Sequence, residues 1–365
     1  MPVPLKRLGL GALAGVSVIA LLTGCGQAPK SSSSGSTKAA SSSKYLPCIV
    51  SDQGGFDDHS FNELGLTGVK QAAQKIGSSV KQVQSATAND YASNINNLIA
   101  QKCNIVVASG FNLVSAVKDA AAKSPKTDFA MIDDNSIKAP NVKPVVFETD
   151  EAAFLGGYAA AAYSKTGVVA TYGGAQIPPV TIYMDGVADG IAYFNKQKHK
   201  NVRLLGWNEQ TQKGTFVGDF KDQNKAKTYT TNFLNANADV VIPVGGPLYQ
   251  GAGAAIKASG KKAVLEGVDA DLFQTDTAGY KDLFLVSILK NIATAADSVV
   301  TQAASGKTFD NTVYVGTLKN DGVGLSSFHG YASTVPSSLQ SELDAIKKGI
   351  SDGSIPVSSP SSFNK

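Results

Sequence analysis

Nine short apolar runs recur along this chain, and none of them alternates apolar with polar residues. They are LPCIVSD, NIVVASG, DFAMIDD, KPVVFET, GVVATYGG, VRLLGWN, DVVIPVGG, AVLEGVD and DLFLVSI. A strand with one face in water alternates; a strand covered by helices on both faces does not. The segments between the runs carry apolar residues at helical spacing. In the first, Leu66, Val69, Ala73 and Ile76 share one face, Gly77 ends the pattern, and Ser60-Phe61-Asn62-Glu63 matches a capping box, so a helix starts near Ser60. Strand-helix alternation of this kind dictates an α/β protein with mostly parallel sheets.

The strand-bearing part runs from Tyr45 onward, about 320 residues. Nine strands and that length exceed one ordinary sheet, so two domains are expected. Glu148 to Glu151 follows a strand and precedes the small-residue helix AAFLGGYAAAAYS. This is the expected first crossover between the domains.

The carboxyl ends of the runs carry Asp52, Ser109-Gly110, Asp133, Gly173-Gly174, Gly245-Gly246 and Asp269. Ligands of open α/β sheets bind outside those ends. Polar exit loops explain part of this pattern. Aspartates and paired glycines repeated at this end predict a cleft lined from both domains.

The first residues read as an export signal. Lys6 and Arg7 precede the apolar run LGLGALAGVSVIALL, which is short for a membrane span. Leu22-Thr23-Gly24-Cys25 resembles a bacterial lipobox, which implies cleavage before Cys25 and diacylation of its thiol. Two acyl chains anchor a protein stably where one does not. Residues 26–44 are rich in Ser, Gly and Ala with no large apolar side chain, so they read as a flexible tether. The expected location is therefore the outer side of the cytoplasmic membrane. The net charge of +4 falls to +2 without Lys6 and Arg7, too little to argue for nucleic acid. Cys48 and Cys103 adjoin apolar runs and read as buried small hydrophobes rather than as a disulfide.

Catalytic and metal signatures are missing. His59, His199 and His329 lie far apart and no CxxC occurs, so no zinc spacing exists. There is no GxSxG elbow. TQAASGKT, Thr301 to Thr308, lacks the first glycine of a phosphate loop and follows a helical pattern. Asp52, Asp57 and Asp58 miss the calcium-loop spacing; Asp57 and Asp58 suit a helix N-terminus, where negative charge complements the dipole. No cofactor, no metal and no enzyme activity is expected.

Seven segments occur in the order of a known family: SDQGGFDDHSFNELGLTGVKQAA, FETDEAAFLGGYAAAAYSKTGVVATYGG, DFKDQNKAK, ADVVIPVGG, EGVDAD, SILKN and LKNDGVGLSSF. Across Tyr45 to about Phe328 the chain resembles the basic membrane protein family, substrate-binding lipoproteins of ABC transporters that include the purine nucleoside receptor lipoproteins. The resemblance implies a type I periplasmic-binding-protein fold of two doubly wound lobes, three crossovers and a cleft that closes on ligand. On this reading 45–149 and about 276–308 form the first lobe, and 150–275 and about 309–365 the second. It also implies a nucleoside ligand, ABC permease and ATPase partners, and a lipid-anchored protein expected to be monomeric.

Carried over by motif, Asp52 would accept hydrogen bonds from the ligand, Phe61 would stack on the base and Asn62 would hydrogen-bond it. Asp133 would line the same lobe; Gly246, Asp269 and Lys290 would close the site around base and ribose. The family encloses the base with a second ring from the other lobe, for which Phe220 and Ile242 are the two candidates. A nucleoside needs an aromatic wall for its base and carboxylates for its vicinal hydroxyls, and charged hydrogen bonds of that kind outweigh neutral ones. Competing readings are a binding lipoprotein for a sugar or signalling ligand, a surface adhesin or immunogenic lipoprotein, and a nucleoside-cleaving enzyme.

Overall fold

The structure, a computed structural model, describes residues 45–363. The signal-like run, Cys25 and the Ser-rich stretch lie outside them. No helix among the described residues is long and apolar enough to cross a membrane.

The chain begins β1 (Pro47–Ser51), α1 (Phe61–Ile76), β2 (Lys81–Val83), α2 (Asp90–Ala100), β3 (Ile105–Ser109), α3 (Val114–Lys123), β4 (Asp128–Ile132) and β5 (Val142–Phe147). It continues with α4 (Thr149–Tyr163), β6 (Val168–Gly173), α5 (Pro178–Lys198), β7 (Arg203–Leu205) and a small hairpin, β8 (Trp207–Asn208) with β9 (Lys213–Gly214). Then come α6 (Gln223–Asn235), β10 (Val240–Val244), α7 (Leu248–Ser259), β11 (Val264–Asp269), α8 (Leu272–Thr275) and β12 (Phe284–Lys290). The last elements are α9 (Ile292–Ala303), β13 (Tyr314–Gly316), β14 (Val323–Leu325) and α10 (Leu339–Ser351).

Two six-stranded sheets result, ordered β13-β5-β4-β3-β1-β2 and β14-β12-β11-β10-β6-β7. All pairings are parallel except β12 with β14. Every residue of β1, β3, β5, β6, β10 and β11 is buried, which is why those runs do not alternate. Small residues let helices approach. A Cβ on Gly157 would meet Val187 O at 2.2 Å, and one on Gly190 would meet Phe154 O at 2.0 Å, so α4 and α5 pack nearly backbone to backbone.

The chain passes between the sheets three times: after β5, after β12 and after β13. The first crossing follows β5, at Glu148. The other two correct the expected lobe boundaries. β12 pairs with β11 and belongs to the second sheet, so that crossing follows Lys290 instead of preceding residue 276. β13 pairs with β5 in the first sheet, so residues 314–316 return there before β14 leaves again. β13 and β14 are edge strands of three residues each, too short to stand out as runs.

Two local expectations are also corrected. Cys48 and Cys103 form a disulfide with Cα atoms 5.9 Å apart. They are as buried as small hydrophobes, but β1 and β3 are neighbours, which brings together residues 55 apart in sequence. Ser60 precedes α1 as expected but makes no side-chain cap bond. Asp58 takes that role: its Oδ1 accepts from the N–H groups of Ser60 and Glu63 at 3.0 and 3.1 Å, and its Oδ2 from that of Asn62 at 2.8 Å. A carboxylate there answers the unpaired amides of the first turn and its dipole.

Candidate functional site

The carboxyl ends of both sheets face one cavity. In the first lobe, Asp52 follows β1 directly and is buried. Its Oδ1 accepts from the Gly54 N–H and from Asn62 Nδ2, each at 3.0 Å. Gly54 is needed here, since a Cβ would sit 2.7 Å from Asn62 Nδ2. Burial raises the Asp52 carboxyl above its ordinary range, against the lowering effect of the Gly54, Asn62 and Asn112 donors. Asp58 is pushed up to about 6 by burial, despite its backbone donors. Phe61 opens α1, half-buried, with its ring on the cavity.

Asp133 directly follows β4 and Asp269 ends β11, one in each lobe, and both adopt left-handed backbone, φ 72° and 66°. Non-glycine residues held there carry strain that tends to collect at functional sites. Lys290, the last residue of β12, reaches across from the second sheet and places Nζ 2.7 Å from the Asp133 carboxylate. The same Nζ lies 5.0 Å from the centre of the Phe61 ring, 5.4 Å from Phe147 and 6.0 Å from Tyr183. Burial pushes Asp133 up to about 6, with Lys290 opposing the shift. Asp269 accepts from Tyr183 Oη at 2.8 Å on Oδ1 and from Ser60 Oγ at 3.3 Å on Oδ2. Ser60 therefore touches the second lobe through both Asp269 and the Val268 carbonyl.

The remaining second-lobe wall is apolar or glycine: Ile177, Val180, Phe220, Val244, Gly245 and Gly246. Phe220 has a seat made for it. A Cβ on Gly174 would lie 2.4 Å from its ring, and one on Gly245 2.9 Å. The cavity thus has aromatic rings from both lobes, Phe61 and Phe111 from the first and Tyr183 and Phe220 from the second.

Of the expected residues, Asp52, Phe61, Asn62, Asp133, Phe220, Gly246, Asp269 and Lys290 line this one cavity. Ile242 does not: it sits mid-strand in β10, fully buried in the core, and the strand runs two residues further before its end reaches the cleft. The sequence reading missed Tyr183 and the cavity-facing role of Asp58. Tyr183 lies inside the apolar pattern of α5 and reads as core; Asp58 reads as a cap, which it also is. Among the described residues no group of three or more His, Cys, Asp or Glu could hold a metal ion. The lining offers aromatic faces for a flat surface and carboxylates that can accept from hydroxyl or N–H groups.

Residues 47–358 match the family described as ABC transporter substrate-binding protein PnrA-like. The ABC transporter nucleoside-binding protein BmpA of Lactococcus lactis subsp. cremoris is 27% identical over 369 residues, covering 97% of this chain and 99% of its own. A CD4+ T-cell-stimulating antigen of Listeria innocua is 26% identical over 352 residues, covering 92% and 94%. Among solved structures, an ABC transporter solute-binding protein from Aeropyrum pernix K1 superposes with a TM-score of 0.76 at 22% identity, over 88% of this chain and 95% of its own. At that identity the likeness speaks for the fold.

Proposed function

The chain belongs to the PnrA-like ABC transporter substrate-binding proteins, and from that premise we propose that it captures nucleosides, purine nucleosides first among them, outside the cytoplasmic membrane. It would deliver them to the permease and ATPase subunits of an ABC importer, acting as a monomer tethered through lipid on Cys25. The observation that carries this reading is the pairing of one aromatic ring from each lobe, Phe61 and Phe220, with the strand-end carboxylates Asp133 and Asp269 and the Lys290 ammonium. Two rings suit a planar base, and each base-aromatic stack contributes roughly 1–3 kcal/mol. Carboxylates beside a lysine suit vicinal hydroxyls, which donate to the first and accept from the second. Asp52 and Asn62 then meet the base edge, and Gly246, having no side chain, lets the ligand come close to the backbone. The name of the lactococcal relative points the same way.

Incubation of the purified protein with labelled adenosine and guanosine, followed by identification of the bound material, tests this. Intact nucleoside supports it. Free base would indicate a nucleoside-cleaving enzyme, and a retained sugar with no nucleoside would replace the ligand class.

A further inference from the structure

The Asn62 carboxamide is held in one orientation by charge. Its Nδ2 donates to Asp52 Oδ1 at 3.0 Å and to Asp58 Oδ2 at 3.1 Å. Turned over, its carbonyl oxygen would face two carboxylate oxygens, and like partial charges at that distance repel. The amide therefore keeps its donors on the protein side. Its other atom, Oδ1, has no partner among the described residues, although Asn62 is only 2% exposed and lines the cavity. A buried acceptor without a donor is unfavourable until something supplies one. Asp58 is bound to its position from the other side. Both its oxygens also accept from backbone N–H groups of Ser60, Asn62 and Glu63, which hold it on the axis of α1.

We propose that Asp58 is a specificity-determining positioning residue. Resting on the nucleoside reading above, it fixes Asn62, together with Asp52, as a pure acceptor, so the site selects bases that present an N–H donor at that edge. The exocyclic amine of adenine and the ring N1–H of hypoxanthine or guanine both qualify. A purine with neither does not. Asn62 held this way cannot read donor and acceptor together on one base edge, because its donors are already spent on carboxylates. The same lock admits both amino- and oxo-purines while rejecting the unsubstituted ring.

Calorimetric titration of the full chain with adenosine, inosine and purine riboside tests this, in wild type, Asp58→Asn and Asp58→Ser. The asparagine variant keeps the shape but has one acceptor oxygen for two tasks. The serine variant keeps a capping group but is too short to reach Asn62 Nδ2. Wild type should bind purine riboside about tenfold or more weaker than the tighter of the other two, as expected for one missing hydrogen bond to a buried acceptor. In both variants, where Asp52 alone still accepts from Nδ2, that ratio should fall by about threefold or more. A change in overall affinity or melting temperature alone would reflect helix capping, and only the ratio reports the lock. An unchanged ratio in a folded variant, or purine riboside binding wild type as tightly as inosine, overturns the inference while leaving nucleoside binding intact. Failure of all three ligands to bind wild type would remove the proposed function and this inference together.

Discussion

Two buried lysines in this protein each hold an aspartate, and the two pairs behave differently. Lys143, on β5, places Nζ 2.8 Å from Asp310 and 2.8 Å from the Thr312 carbonyl. Lys290 places Nζ 2.7 Å from Asp133. The Asp310 side chain is a third exposed and also accepts from the Thr312 N–H and hydroxyl. Its carboxyl is held below the ordinary range, by Lys143 first and then by Thr312. The Asp133 side chain is 6% exposed, and its carboxyl is raised to about 6 because burial outweighs the same kind of partner. One pair lies at the margin of a single lobe, where water finishes solvating the charges. The other joins the two lobes inside the cleft, with both side chains almost fully buried. A buried pair is a poor stabiliser unless its spare lone pairs are satisfied, and an arriving ligand with hydroxyl groups can satisfy them.

The largest expected difference between the pairs is in binding. Lys290→Met should weaken nucleoside affinity by about 2–5 kcal/mol, roughly 30-fold or more, since it strands a buried carboxylate at the site. Lys143→Met should lower thermal stability and leave affinity within about twofold. Titration calorimetry and a melting curve on each variant decide. Similar affinity losses in both would mean that Lys290 acts through the fold and not through the cleft.

The ring under Lys290 gives a smaller effect of the same kind. Phe61→Ala should weaken nucleoside binding by about 1–3 kcal/mol, roughly 5- to 150-fold, with little change in the melting temperature of the empty protein. Phe61→Leu should recover part of that, because burial returns without the π-face. Phe147 also lies near Lys290 but is 1% exposed, so its loss to alanine should appear first as lost folding stability. A large stability loss at Phe61 with unchanged affinity would make it a second Phe147.

These residues differ in how far the sequence disclosed them. Asp52, Asp133, Asp269 and Gly246 were legible because a doubly wound sheet sends the carboxyl end of each strand to the same place. Phe61, Asn62, Phe220 and Lys290 came with the family resemblance, and the cavity gathers them. Ile242 failed on register, a matter of two residues along β10 that an apolar run cannot fix. The Cys48–Cys103 bond failed on topology: β1 and β3 flank one another although β2 intervenes in sequence. Tyr183 was hidden because it lies in the stretch of α5 from Pro179 to Val187, buried without a break, which gives no sign of which residue meets a cavity. The Ser60 cap was a correct position with the wrong partner. Its hydroxyl is used instead to reach Val268 and Asp269 in the second lobe, a contact no local pattern contains.

The smallest effect separates the two aspartates themselves by pH. Asp133 has a folded pKa of about 6 against an ordinary 3.8, so between those values the native state holds a proton that the unfolded chain releases. Its contribution is therefore full below about pH 4 and is lost as pH rises through about 6. Asp310 is shifted the other way: its contribution is full above about pH 4 and is lost as pH falls below that. Replacing each by asparagine removes its own window from the stability profile. Asp133→Asn should flatten the profile between pH 4 and 6, and Asp310→Asn should flatten it below pH 4, each by at most roughly 1.4 kcal/mol per pH unit. Asp133→Asn also leaves Lys290 without its carboxylate, so the slopes of the profiles are compared and not their heights. Urea unfolding midpoints of the ligand-free protein from pH 3 to 7 give both profiles. If the two variants alter the same window, the pairs are electrostatically alike, and the raised Asp133 is no mark of a site waiting for a ligand.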